Sequence, residues 1–187
     1  MSAAPDPDGG VWAELPGDLM MWVLIASELL VFGAGLASFL AVRATDPEGF
    51  AAAQDLLDRT AGALNTMVLI TSGYAAAAAI AARRAGARGK ARLRLGAAAL
   101  FGAVFLAIKA HEYAAKIAEG IDTETHPFFT FYYLLTGFHA AHVVAGIVIL
   151  GLIALRDDLH TMETGVAFWH MVDLVWVLLF PVIYLLR

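Results

Sequence analysis

The chain has no cysteine. That excludes disulfides, thiolate metal sites, iron–sulfur clusters and a cysteine-ligated copper centre. Charge is scarce as well: 16% of the 187 residues are Asp, Glu, Lys or Arg, against 60% hydrophobic. The opening stretch MSAAPDPDGGVWAELPGD is acidic and has no cationic region, so it does not read as a signal peptide. No segment between the apolar runs is long enough for an aqueous domain, and enzymatic chemistry in a soluble lobe is excluded on that ground.

What remains is apolar sequence in long runs. Five stand out, at about 19–42, 61–82, 95–115, 128–155 and 165–186. Each reaches the ~20 residues that cross ~30 Å of hydrocarbon at 1.5 Å per residue. Lipid offers no partner to an open strand, so the runs predict an all-α membrane bundle of five helices in a single domain, 1–187.

Cationic residues are concentrated. Six of the 12, Arg83, Arg84, Arg88, Lys90, Arg92 and Arg94, lie between the second and third runs with no acid among them. The positive-inside rule makes that connection cytoplasmic. Alternation then predicts a cytoplasmic N-terminus, a periplasmic C-terminus, and outer connections at 43–60 and 116–127. Both outer connections are acidic, with Asp46, Glu48, Asp55 and Asp58 in one and Glu119, Asp122 and Glu124 in the other. Phe128, Phe129, Phe131, Tyr132 and Tyr133 open the fourth run where an aromatic belt belongs, and large side chains filling gaps between helices account for them nearly as well.

The second run is small and weakly lipophilic, with Asn65, Thr66, Ser72 and Gly73 ahead of an alanine tract, which suits a helix enclosed by others. Gly137, Ala141 and Ala145 form an i, i+4 stripe on the fourth and predict close helix packing.

Ionisable groups within lipid-spanning segments are costly and default to functional hypotheses. They are Glu28 in the first run, Lys109 and Glu112 in the third, His139 and His142 in the fourth, and His170 and Asp173 in the fifth. Depths along the helices suggest an inner group of Glu28, His142, His170 and Asp173 and an outer group of Lys109 and Glu112. Glu28 is expected to pair with His142. Lys109 and Glu112 sit at i, i+3, where they can neutralise one another, and His170 with Asp173 has the same spacing.

The four positions 139, 142, 170 and 173 echo carboxylate–histidine di-iron bundles, but neither helix has Glu three residues before its His. A bis-histidine haem is the other metal reading, with a satisfied buried polar network as the plainer one. The sequence assigns no catalytic residue and no metal ligand. A proton-coupled transporter using Glu28 is a further reading, without the broken helices that class uses; Pro181 lies near one end.

Taken in order, WVLIASELLVFGAG, GALNTMVLITSG, FLAIKAHEY, FFTFYYLLTGFHAAHVVAGIVIL and METGVAFWHMVDLVWVLLFPVIYL resemble subunit III of the haem–copper oxidase superfamily. TGFHxxHVxxG and E-x6-H-x2-D-x2-W are its most specific parts. The chain lacks the two leading helices of the larger members. It looks most similar to the small five-helix member that accompanies cytochrome c-dependent nitric oxide reductase.

The resemblance implies a non-catalytic accessory subunit with no redox centre of its own. Its partner would be the large catalytic subunit of a nitric oxide reductase or terminal oxidase, which carries the haem and metal. Subunit III of a cytochrome c or quinol oxidase supporting proton uptake is the alternative. A histidine-ligated haem or di-iron membrane oxidoreductase is a further one. The family's carbodiimide-reactive carboxylate falls on Glu28, its paired histidines on His139 and His142, and its E…WH…D pattern on Glu163, Trp169, His170 and Asp173. It also implies bound phospholipid in a cleft near Glu28 and His142, and the bacterial inner membrane as the location.

Overall fold

The computed structural model describes residues 19–156 and 158–186. The acidic N-terminal stretch that the sequence reads as no signal peptide lies outside them. Six α-helices follow in order: α1 (Leu19–Arg43), α2 (Pro47–Asp55), α3 (Arg59–Arg84), α4 (Arg88–Ala118), α5 (Pro127–Leu155) and α6 (Leu159–Phe180). α6 continues into a π-helical segment, Pro181–Leu185. Five of the helices are long and apolar enough to cross a membrane.

The expected count of five therefore holds for the spans and not for the helices. α2 occupies the connection expected to be a loop. Asp46 caps it by accepting from the Gly49 N–H, and Pro47 supplies the preset φ of a first helical turn. Phe50, Ala53 and Gln54 are buried on its inner side, and the Gln54 Nε2 donates to the Ile183 carbonyl at 2.8 Å. Two ring contacts, Phe39 with Phe50 and Phe50 with Phe128, fasten α2 across α1 and α5.

The helices also run past their apolar limits. Arg83 and Arg84 form the last turn of α3, and Arg88, Lys90, Arg92 and Arg94 lie in the first two turns of α4. The connection between them is three residues, with Gly86 at φ 77° making the reversal that an L side chain resists. α6 starts at Leu159, six residues earlier than its apolar run, because Asp158 caps it through the Thr161 N–H at 2.7 Å.

α6 is the axis of the bundle: 56% of its apolar window is buried, against 11% for α1. α3 and α4 form the most extensive pair. Ser72, Ala76, Ala79 and Ala82 meet Ala91, Leu95 and Ala98, and the Ser72 hydroxyl donates to the Ala98 carbonyl at 2.7 Å. Small residues let two backbones approach, and in lipid that approach is what holds helices together.

The stripe on α5 does not do this. Ala141 and Ala145 are exposed, and a Cβ at Gly137 would meet only the Tyr113 hydroxyl, at 3.8 Å. Close approach uses the next face round, where a Cβ at Gly102 of α4 or at Gly146 of α5 would lie within 2.6 Å of carbons of the Trp169 ring. The spacing was right for a packing stripe, but the wide indole across the way selected a different glycine.

Pro181 has no N–H to continue the helix, and the register slips so that the Leu186 N–H reaches the Pro181 carbonyl at 2.9 Å. This wider turn carries Tyr184 into the bundle, where it is fully buried.

Candidate functional site

The ionisable side chains form three separate sites instead of two groups. The first joins α4, α5 and the π-helical turn. Lys109 is 1% exposed and Glu112 is buried beside it. The Lys109 Nζ donates to Glu112 Oε2 at 3.1 Å, to the Tyr132 hydroxyl at 3.0 Å and to the Tyr184 hydroxyl at 2.5 Å. Both hydroxyls in turn donate to Glu112 Oε1, at 2.8 and 2.7 Å. An ammonium has three N–H groups and a phenol can accept while it donates, so every proton of the set is used. Four ring faces (Tyr113, Tyr132, Trp176 and Tyr184) lie within 5.6 Å of the cation. Beside it Tyr113 and Thr136 are hydrogen-bonded, and the Thr136 hydroxyl donates to the Tyr132 carbonyl at 2.6 Å. The spacing of Lys109 and Glu112 showed the pair, whereas nothing local in the sequence points to Tyr132 or Tyr184.

The second site lies between α1 and α5. His142 Nε2 and Glu28 Oε2 are 3.2 Å apart. The other ring nitrogen, Nδ1, is 2.9 Å from the Phe138 carbonyl. Phe32 and Phe138 flank the imidazole edge-on, with centroids at 5.6 and 4.6 Å. Those two phenylalanines also line an apolar cavity of about 430 Å³ between the helices, with Val31, Gly35, Leu134 and Leu135.

The third site lies on α6. His170 Nδ1 and Asp173 Oδ2 are 3.7 Å apart, beyond hydrogen-bond reach. The Asp173 carboxylate rests on the bare backbone of Gly73 of α3, where a Cβ would collide with it. Gly73 is thus a seat for an acid as well as a packing residue. Neither Asp173 oxygen has a hydrogen-bond partner among the described residues.

Glu163 borders the same two cavities as His170 and is held by a cation. Its Oε1 accepts from Arg84 Nη2 at 2.8 Å and Nε at 3.2 Å, tying the start of α6 to the end of α3. His139 joins none of the sites. It is 0% exposed and lies between Phe105 and Trp176, with centroids at 5.5 and 5.2 Å. Asn65 is buried nearby and donates to the Phe105 carbonyl at 3.4 Å. His139 and His142, three residues apart on α5, diverge: one enters the core and the other the α1 groove. Among the described residues no three His, Asp or Glu side chains converge as metal ligands would.

Known proteins place this arrangement. The model of the family described as cytochrome c oxidase subunit III matches residues 19–187. A cytochrome c oxidase subunit 3 of Thermostichus vulcanus is 33% identical over 182 residues, covering 90% of this chain and 86% of the relative. One of Bacillus subtilis (strain 168) is 29% identical, covering 90% and 85%. A cytochrome bo(3) ubiquinol oxidase subunit 3 of Pseudomonas aeruginosa is 28% identical, covering 88% and 82%. These are names of oxidase subunits, and the association with nitric oxide reductase and denitrification expected from the sequence finds no support in them.

Proposed function

This chain belongs to the cytochrome c oxidase subunit III family, and we propose that it is the non-catalytic third subunit of a haem–copper oxidase, packed as one membrane domain against the large catalytic subunit. The observation that carries the reading is a family match running through all five apolar spans. The electron donor is a cytochrome c or a quinol, as in the relatives' names. The haems and copper belong to the partner subunit. The setting is the bacterial inner membrane, with the basic ends of α3 and α4 at the cytoplasmic face by the positive-inside rule.

Two features support a role beyond bulk. The α1–α5 cavity is apolar and borders the Glu28–His142 pair, which suits a phospholipid acyl chain with the pair at its side. That pair is the part of the chain suited to holding a proton in support of proton uptake by the complex. Affinity purification in mild detergent tests the assignment. A haem-bearing subunit is expected in equal amount, with no Soret absorbance once this chain is separated. A red protein standing alone would overturn it.

A further inference from the structure

α6 is the most enclosed span, yet one narrow stripe of it stays open. His170, Leu174, Val177 and Leu178 are exposed, at i, i+4, i+7 and i+8, a single helix face. Cavities lie on both sides of His170. One, about 330 Å³, is walled by Trp22 and Ile25 of α1; the other, about 260 Å³, by Ala77, Ile80 and Arg84 of α3. Together they make a groove with α6 as floor and α1 and α3 as walls. Along α6 the two cavities run from Glu163 to Leu174, about 16 Å at the helical rise.

The floor carries an anomaly for a lipid-facing surface. Ionisable groups in spanning helices face the bundle interior or a polar partner, because hydrocarbon satisfies neither donor nor acceptor. The His170 side chain is nevertheless 46% exposed, with the Asp173 carboxylate behind it, on the Nδ1 side. An acid on that side favours the tautomer with the proton on Nδ1, which leaves Nε2 as an outward acceptor. An acyl chain offers nothing to such an atom. A helix with a hydroxyl, indole or basic side chain does. Small side chains at Ala77 and Ala167 leave room for a backbone to come close.

We infer that this groove is the docking face for the large catalytic subunit, one of whose transmembrane helices lies along α6 and places a hydrogen-bond donor on His170. The inference rests on the subunit III reading and adds the surface and the kind of contact.

A photoactivatable benzophenone residue at Leu174 tests it in the purified complex, with one at Leu152, exposed on α5, for comparison. Leu174 is expected to cross-link to the haem-bearing subunit and Leu152 to lipid. His170→Gln, which keeps an acceptor, is expected to retain the partner, and His170→Leu to lose it about tenfold, the loss of one such contact. The thermal stability of the isolated chain should be alike in both variants. Cross-linking of Leu174 to lipid alone, or of Leu152 and not Leu174 to the large subunit, overturns the docking face while leaving the subunit III reading intact. Purification with no haem-bearing partner overturns both.

Discussion

His142 faces Glu28 with a nitrogen that carries no proton of its own in the neutral ring. Its Nδ1 is 2.9 Å from the Phe138 carbonyl, which can only accept, so the ring proton lies there. Nε2 then meets Glu28 Oε2 at 3.2 Å, acceptor to acceptor, unless one further proton lies between them. A proton placed there, on the carboxyl or on the imidazole, would turn the contact into a hydrogen bond.

A proton-sharing pair has a distinct mutational signature. Glu28→Gln supplies an amide N–H to Nε2 and is expected to cost little. Glu28→Leu leaves the imidazole facing apolar atoms and should cost about 1–3 kcal/mol, the penalty for an unpaired buried polar group. Thermal unfolding of the purified chain in one detergent compares them. Equal losses for Gln and Leu would mean that a fixed negative charge is required and that no proton is shared.

Lys109 and Glu112 make the opposite kind of site, closed and fully hydrogen-bonded. Removing one member strands the other charge. Lys109→Met is expected to destabilise by about 3–5 kcal/mol, the range for breaking a buried ion pair from one side. Lys109→Met with Glu112→Gln leaves no net charge buried and should recover much of that loss. A double-mutant cycle on unfolding measures the recovery, and strictly additive losses would contradict the closed ring.

Packing at Trp169 gives a third test. A methyl group at Gly146 would overlap the indole, and so would one at Gly102. Gly146→Ala is therefore expected to destabilise by about 1–3 kcal/mol through overpacking. Ala141→Leu, on the exposed side of the same helix, should change the isolated chain by less than about 0.5 kcal/mol. Reversal of that order would return the packing seam to the Gly137–Ala141–Ala145 stripe.

These contrasts mark what could be read in the residues beforehand. Apolar length revealed the spans because lipid imposes one secondary structure and one minimum length on all of them. The i, i+3 and i, i+4 rules found Lys109 with Glu112 because both lie on one helix. They could not find Tyr184, which reaches the same lysine only because Pro181 widens the turn before it. The same limit hid the partner of Glu163: spacing along α6 put it on one face with His170, but Arg84, which binds its carboxylate, is supplied by α3. α2 was missed because nine residues with modest hydropathy give too little periodic signal, although its Asp46-Pro47 start is a helix signature.

The start of α6 lies outside the apolar window and responds to acid. Asp158 accepts from the Thr161 hydroxyl and N–H, and these bonds, the hydroxyl first, hold its carboxyl below the usual value of 3.8. A pKa lower in the folded chain than in the unfolded one means that folding favours the ionised form. The cap's contribution is thus complete above 3.8 and fades as pH falls through the lowered folded value. Asp158→Asn keeps a capping oxygen with no proton to gain in this range. Below pH ~4 the wild-type chain should lose thermal stability more steeply than Asp158→Asn, while above pH ~5 the two slopes should coincide. Identical acid slopes would mean that the carboxylate is not the capping species, and that the Thr161 contacts persist with Asp158 protonated.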